Sequence, residues 1–264
     1  MAEQTPETPG VRGTAGGPGR TEAAVTPGTT GAPGATGAAG AAAPVRVVAV
    51  SAGLGEPSST RLLADRLAEA TTRELAAEDR KAEVTVVELR GLAVDIAHHL
   101  VTGFPSPALR AALDTVTGAD GLIAVTPVFA ASYSGLFKSF FDLVDPDALT
   151  GTPVLLAATG GTPRHSLAVE HAMRPLFSYL RAPTLPTAVF AATDDWGGGA
   201  DAYAGGLPAR IARAGEEFAR LLRGRGCGRG DGPGANEAST GVRDEYDPDT
   251  VVPFEQLLAR RTAD

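Results

Sequence analysis

The chain has 264 residues, a net charge of −8 and 43% hydrophobic residues, which excludes a nucleic-acid role built on a concentrated basic face. Its single cysteine, Cys227, excludes an intramolecular disulfide and leaves the cytoplasm as the expected location. No basic start followed by an apolar run reads as a secretion signal, and no window is long and apolar enough for a membrane span.

Residues 2–43 consist mainly of Gly, Ala, Pro and Thr, with Val11 and Val25 as the only sizeable apolar side chains. Such a stretch buries too little surface to offset the entropy of ordering it, so 1–43 is expected to be a disordered tail. The apolar pattern then begins. Residues 45–51 (VRVVAVS) read as a strand buried on both faces, and Ser58, Ser59 and Thr60 offer caps for a helix reaching about residue 78, with Leu62, Leu63, Leu67 and Ala70 at helical spacing. A second strand is expected at 84–89. Residues 90–105 show no clear period and include the adjacent His98 and His99, which are not at metal-ligand spacing on one helix face, so no metal is assigned. Ser106 or Pro107 opens a helix carrying Leu109, Leu113 and Val116. A third strand follows at 121–129, then a helix from Ser134 with Leu136, Phe137, Phe140, Phe141 and Val144. The remaining elements are a strand at 152–161, a helix over 165–180, a strand at 184–191 and a helix over 207–222.

Strands alternate with helices, and parallel strands need crossover connections. This predicts one α/β domain over 44–222: a doubly wound five-stranded parallel sheet of order 2-1-3-4-5, with its ligand crevice at the carboxyl ends of the strands. Beyond it, 223–243 reads as a Gly-rich linker, in which Arg229-Gly230-Asp231 is put down to chance. The stretch 244–264, with Val251, Val252, Phe254, Leu257 and Leu258, is either a short docking helix or a loosely held tail.

Three loops stand out. The first, Ser51 to Arg61, puts hydroxyls at a helix N-terminus, a site for a phosphate. It lacks the third glycine of a dinucleotide fingerprint and the lysine of a P-loop, so a monophosphate fits best; plain N-capping is the other reading. The second, Thr126 to Lys138, carries Pro127, Val128, Phe129, Tyr133, Ser134 and Gly135. Its aromatic groups can wall a flat ring, or Phe129 can be a core anchor and Ser134 a helix cap. The third, Ala158 to His165, holds Gly160 and Gly161, whose pairing permits backbone conformations closed to other residues, although glycine is common at such junctions.

Together these loops resemble the NADPH-dependent FMN reductase family, closest to the reductase component of two-component alkanesulfonate-type monooxygenases. The resemblance covers about 45–193 and is most specific in Ser106-Pro-Ala-Leu, Ala119-Asp-Gly-Leu-Ile, Thr126-Pro-Val-Phe-Ala-Ala-Ser-Tyr-Ser-Gly-Leu-Phe-Lys138 and Leu156-Ala-Ala-Thr-Gly-Gly-Thr162. It implies a flavodoxin-like fold and transfer of hydride from NADPH (or NADH) to FMN, with reduced flavin passed to a partner flavin-dependent monooxygenase. It further implies that Ser51, Ser58, Ser59 and Thr60 hold the FMN phosphate. Pro127, Val128 and Phe129 would line the isoalloxazine, Ser134 and Gly135 would close the loop, and Thr159, Gly160 and Gly161 would meet the ring's other edge. Tyr133 matches a subunit-interface tyrosine in a helix with an inserted residue, so a π-bulge is expected there. With the apolar C-terminal stretch, this points to a homodimer or tetramer. The first loop departs from the family in opening Ser-Ala-Gly rather than Gly-Ser, and Phe129 stands where tyrosine is common. No side-chain acid or base is required, so no catalytic residue is assigned; Arg164 is a candidate contact to NADPH or the flavin edge, or else a solvated arginine. An FMN-bound quinone or azo reductase, a flavodoxin-type electron carrier and a non-enzymatic scaffold stay open as other readings.

Overall fold

The computed structural model describes residues 43–197 and 206–223. The remainder of the expected N-terminal tail, linker and C-terminal stretch, with Cys227 and Arg229-Gly230-Asp231, lies outside the described residues.

Strand β1 (Val45–Ser51) sits between β2 (Ala82–Glu88) and β3 (Gly121–Phe129), parallel to both, with Val47 level with Val84 and Gly121. β3 pairs in turn with β5 (Val154–Gly160), and β5 with β6 (Val189–Ala192). The order β2-β1-β3-β5-β6 is the predicted 2-1-3-4-5 of the five parallel strands. The added element is β4 (Ser132–Tyr133), which pairs antiparallel with the end of β3.

The period of two along each strand sorts side chains into two cores. Val47, Ala49, Ile123, Val125, Leu155 and Ala157 face α1 (Ser59–Ala76) and α6 (Gly206–Leu222). Val48, Val50, Leu122, Ala124, Val154 and Leu156 face the other way. That second layer holds α2 (Ala93–Thr102), α3 (Pro107–Thr117), α4 (Gly135–Phe141) and α5 (Arg174–Tyr179). Its centre is an aromatic cluster in which Phe141 lies 4.7 Å from Phe137 and 4.9 Å from Phe177, ring to ring, adding edge-on contacts to the burial of apolar area. On the first face, α1 and α6 approach so closely that a Cβ on Gly215 would lie 2.8 Å from the Cβ of Ala70.

Four expectations change. Residues 90–105 contain a 3-10 turn (Leu89–Leu92) and helix α2, whose period was hidden because only Ile96 of the helix is buried while Val94 and Val101 face solvent. The expected helix over 165–180 is instead a 3-10 turn (Pro163–His165), a π-helical turn (Val169–Met173) and α5. The π-turn is therefore here and not at Tyr133. Ala130 and Ala131, with φ of 47° and 65°, reverse the chain in two residues, so Tyr133 pairs with Val128 and the helix starts only after Ser134. The fifth parallel strand is also shorter than expected, its early part making a single bridge between Thr184 and Val154.

Arg174 ties the π-turn to that segment. Its guanidinium donates to Glu170 (2.6 Å), to the Thr184 hydroxyl (2.6 Å) and to the Leu185 carbonyl (2.8 Å). The hydrogen bond from Arg174 holds the Glu170 carboxyl below its ordinary range. A carboxyl lowered on folding contributes stability above its unfolded pKa and loses it as pH falls through the folded one. Glu170→Gln is therefore expected to cost about 0.3–0.5 kcal/mol near neutrality, a value suited to a half-exposed i,i+4 pair. Urea midpoints of the two proteins should converge as the pH drops below about 4. Gly215→Val should cost about 1–3 kcal/mol in the same assay, because the α1–α6 contact has no room for a branched side chain.

Candidate functional site

The carboxyl ends of β1, β3, β5 and β6 open onto one cavity of about 380 Å3, within the size range of small-molecule sites. Its first wall is the turn from Leu54 to Thr60, which includes a cis bond between Glu56 and Pro57. Ser58 caps α1, its Oγ accepting from the Arg61 N–H at 3.1 Å. Ser59 is exposed, and the N–H groups of Ser59 and Thr60, in the first turn, have no acceptor within the helix. The chain comes so close to itself here that a Cβ on Gly53 would lie 2.0 Å from the Ser58 Oγ. Thr60 points inward, its hydroxyl 2.8 Å from that of Thr159 at the end of β5, and both side chains are buried.

The second wall is Pro127, Val128 and Phe129. Behind it, the buried Thr126 hydroxyl accepts from the Ser134 N–H at 3.0 Å, and the Ser134 Oγ accepts from the Phe137 N–H at 3.2 Å as the cap of α4. The hairpin turn at Ala130–Ala131 leaves Phe129 about half exposed at the rim (49%). Thr159, Gly160 and Gly161 form the third wall. Neither glycine is left-handed: Gly160 is needed because a Cβ there would lie 2.7 Å from the Phe190 ring, and Gly161 faces open space. The expected need for special backbone angles is thus replaced by a need for room.

Of the twelve residues singled out from sequence, nine line this cavity. The other three do not. Ser51 is buried within β1, Ser134 is a buried cap, and Gly135 is the first residue of α4 with nothing close to it. Sequence reasoning missed Ala191, Thr193 and Trp196, which form a fourth wall at the end of β6. The signal was available: the only tryptophan of the chain follows directly on a predicted strand's carboxyl end. Trp196 lies on a 3-10 turn (Thr193–Trp196) fastened by Asp195, whose carboxylate accepts from the Ala192 N–H (2.7 Å) and from Arg210.

Among the described residues, no ionisable side chain lines the cavity. Arg61, just beyond it, is bound to Asp65 (2.8 Å) and Glu88, and the Asp65 hydrogen bond raises it further above its ordinary value. Arg90 is paired with Glu56. Arg164 is exposed on the 3-10 turn that follows Gly161 and does not line the cavity. Such a site has hydroxyls, free amides and a helix N-terminus for an anion, and apolar walls for a ring; none of the described lining side chains is an acid or base.

Residues 45–197 match the sequence model of the NADPH-dependent FMN reductases. A protein from Pseudomonas aeruginosa named FMN reductase (NADPH) is 42% identical over 186 residues, spanning 69% of this chain and 95% of its own. The NADH-dependent FMN reductase SfnE of Pseudomonas putida is 45% identical over 148 residues, covering 56% of this chain and 77% of its own. Among solved structures, an oxidoreductase from Corynebacterium diphtheriae superposes with a TM-score of 0.64 at 45% identity, over 68% of this chain and 97% of that one. The hydroxyl-lined turn, the Pro127–Phe129 wall and the paired glycines all fall inside the matched region, and the chain belongs to the NADPH-dependent FMN reductase family.

Proposed function

We propose that the chain is an NAD(P)H-dependent FMN reductase, and that its reduced product feeds a separate flavin-dependent monooxygenase. The observation that carries this reading is the convergence of four strand ends on one cavity with a helix start suited to an anion, apolar walls and no ionisable side chain among the described lining residues. The donor set fits FMN. Ser58, Ser59 and the first-turn amides of α1 suit a phosphate, and Pro127, Val128 and Phe129 suit one side of a flat ring. Thr159, Gly160 and Gly161 bring backbone groups close to its edge, Gly161 with space in front of it. Of the three residues outside the cavity, Ser134 acts from behind, capping α4 and tying its start to Thr126.

When bound, the flavin supplies the hydride chemistry, and the chain supplies binding, orientation and exclusion of water. The nicotinamide nucleotide enters at the mouth, where Phe129 and Gly161 are exposed. Names of relatives that use either NADPH or NADH support a nicotinamide donor without choosing between them. A cytoplasmic location and assembly as a homodimer or tetramer belong to the same proposal, the latter checked by light scattering.

FMN is expected to quench Trp196 fluorescence saturably, and NADPH oxidation should require added FMN. Protein that shows neither overturns the proposal. Turnover of a quinone or azo dye with negligible turnover of free FMN would instead make it an FMN-retaining reductase. Ser59→Ala should weaken FMN by about 5- to 10-fold, close to one lost hydrogen bond to a charged group, and leave riboflavin unaffected. Because none of the described lining side chains is ionisable in that range, kcat at saturating substrates should stay level between about pH 6.5 and 9. A bell-shaped profile within that range would point to a chain-derived acid or base.

A further inference from the structure

We infer that Trp196 is a phosphate ligand of the FMN site and that Arg66 is the positioning residue that backs it with a positive charge; the inference rests on the flavin reading above. A flavin phosphate brings close to two negative charges, by analogy with other phosphomonoesters. The described cavity lining offers no cation against it, and a helix N-terminus supplies the equivalent of only about half a charge. The cations beside the first loop are already spent: Arg61 faces Asp65 and Glu88, and Arg90 faces Glu56. Arg66 differs. It lies on α1 six residues beyond Thr60, makes no ion pair among the described residues, and stacks over the Trp196 ring at 5.1 Å from its centroid.

That stacking fixes the indole alongside the first turns of α1, within the cavity that Ser58, Ser59 and Thr60 also line. The indole N–H can only donate, and it has no acceptor among the described residues. A cation on the ring face draws electron density from the indole and makes its N–H a better donor. The frame beneath is rigid: Asp195 is gripped by Arg210, which also donates to the Phe190 carbonyl. In this role Trp196 offers the phosphate a neutral donor backed by a positive charge from outside the cavity lining.

Isothermal titration of the full-length protein with FMN and with riboflavin tests this, using Trp196→Phe, which keeps a ring for Arg66 and removes the N–H, and Arg66→Gln with Arg66→Lys as its rescue. Thermal midpoints of the variants serve as the folding control. Trp196→Phe should weaken FMN about 5- to 10-fold and leave riboflavin unchanged. Arg66→Gln should weaken FMN about threefold at low salt, with the gap closing at high salt and restored by Arg66→Lys. If the wild type prefers FMN to riboflavin but Trp196→Phe keeps that preference, the inference falls while the flavin reading stands. An equal loss for both ligands makes Trp196 a ring contact and also overturns it. If the wild type binds neither flavin, both readings fall together.

Discussion

Two hydroxyl groups 99 residues apart hold the site in shape. Thr60 begins α1 and Thr159 ends β5, and their oxygens meet at 2.8 Å where water does not reach. A buried hydroxyl without a partner costs about 1–3 kcal/mol, so each depends on the other to be there at all. Their bond draws the first turn of α1 over the end of β5, and this is what lets Ser58 and Ser59 share a cavity with Gly160 and Gly161. Thr126 plays the same part for β3, fastening the start of α4 through the Ser134 amide. The sheet below supplies little more than a flat, apolar support; the cavity is organised by three threonines at the edge of the core.

Much of the scaffold was legible in the residues. Runs such as VRVVAVS are apolar on both faces because helices cover both, and the alternation of strand and helix leaves few alternatives to the order found. The failures have physical causes. Helix α2 escaped notice because its apolar residues do not mark a buried face: Ile96 goes in, while Val94 and Val101 go out. The stretch after β5 carries a helical composition, but sequence does not reveal that Arg174 will bind Glu170, Thr184 and the Leu185 carbonyl around a widened turn.

The cavity was legible where hydroxyls and glycines cluster, and less so where a residue type serves two ends. Ser58 and Ser134 look alike in sequence, each opening a helix after a strand. Ser58 caps a helix whose first turn faces the cavity, while Ser134 is sealed behind Pro127 and Val128. Trp196 was overlooked for the opposite reason. A lone aromatic beyond a short strand signals by its position alone and carries no motif, and the arginine stacked on it, Arg66, is far off in the chain.

The β3–β4 hairpin sets the two ends of the cavity apart. Its tip is Ala130–Ala131, held left-handed at a cost of about 1 kcal/mol or more per residue, where asparagine or glycine would sit at ease. No cap, buried hydroxyl tie or core packing depends on the methyl groups at that tip, since Thr126 and Ser134 anchor the hairpin's base. A lineage can therefore lengthen or recast the tip, and with it the exposure of Phe129, while the Ser58–Thr60 end of the cavity stays as it was. The mouth of the cavity is free to drift in this scaffold without its opposite wall having to be rebuilt.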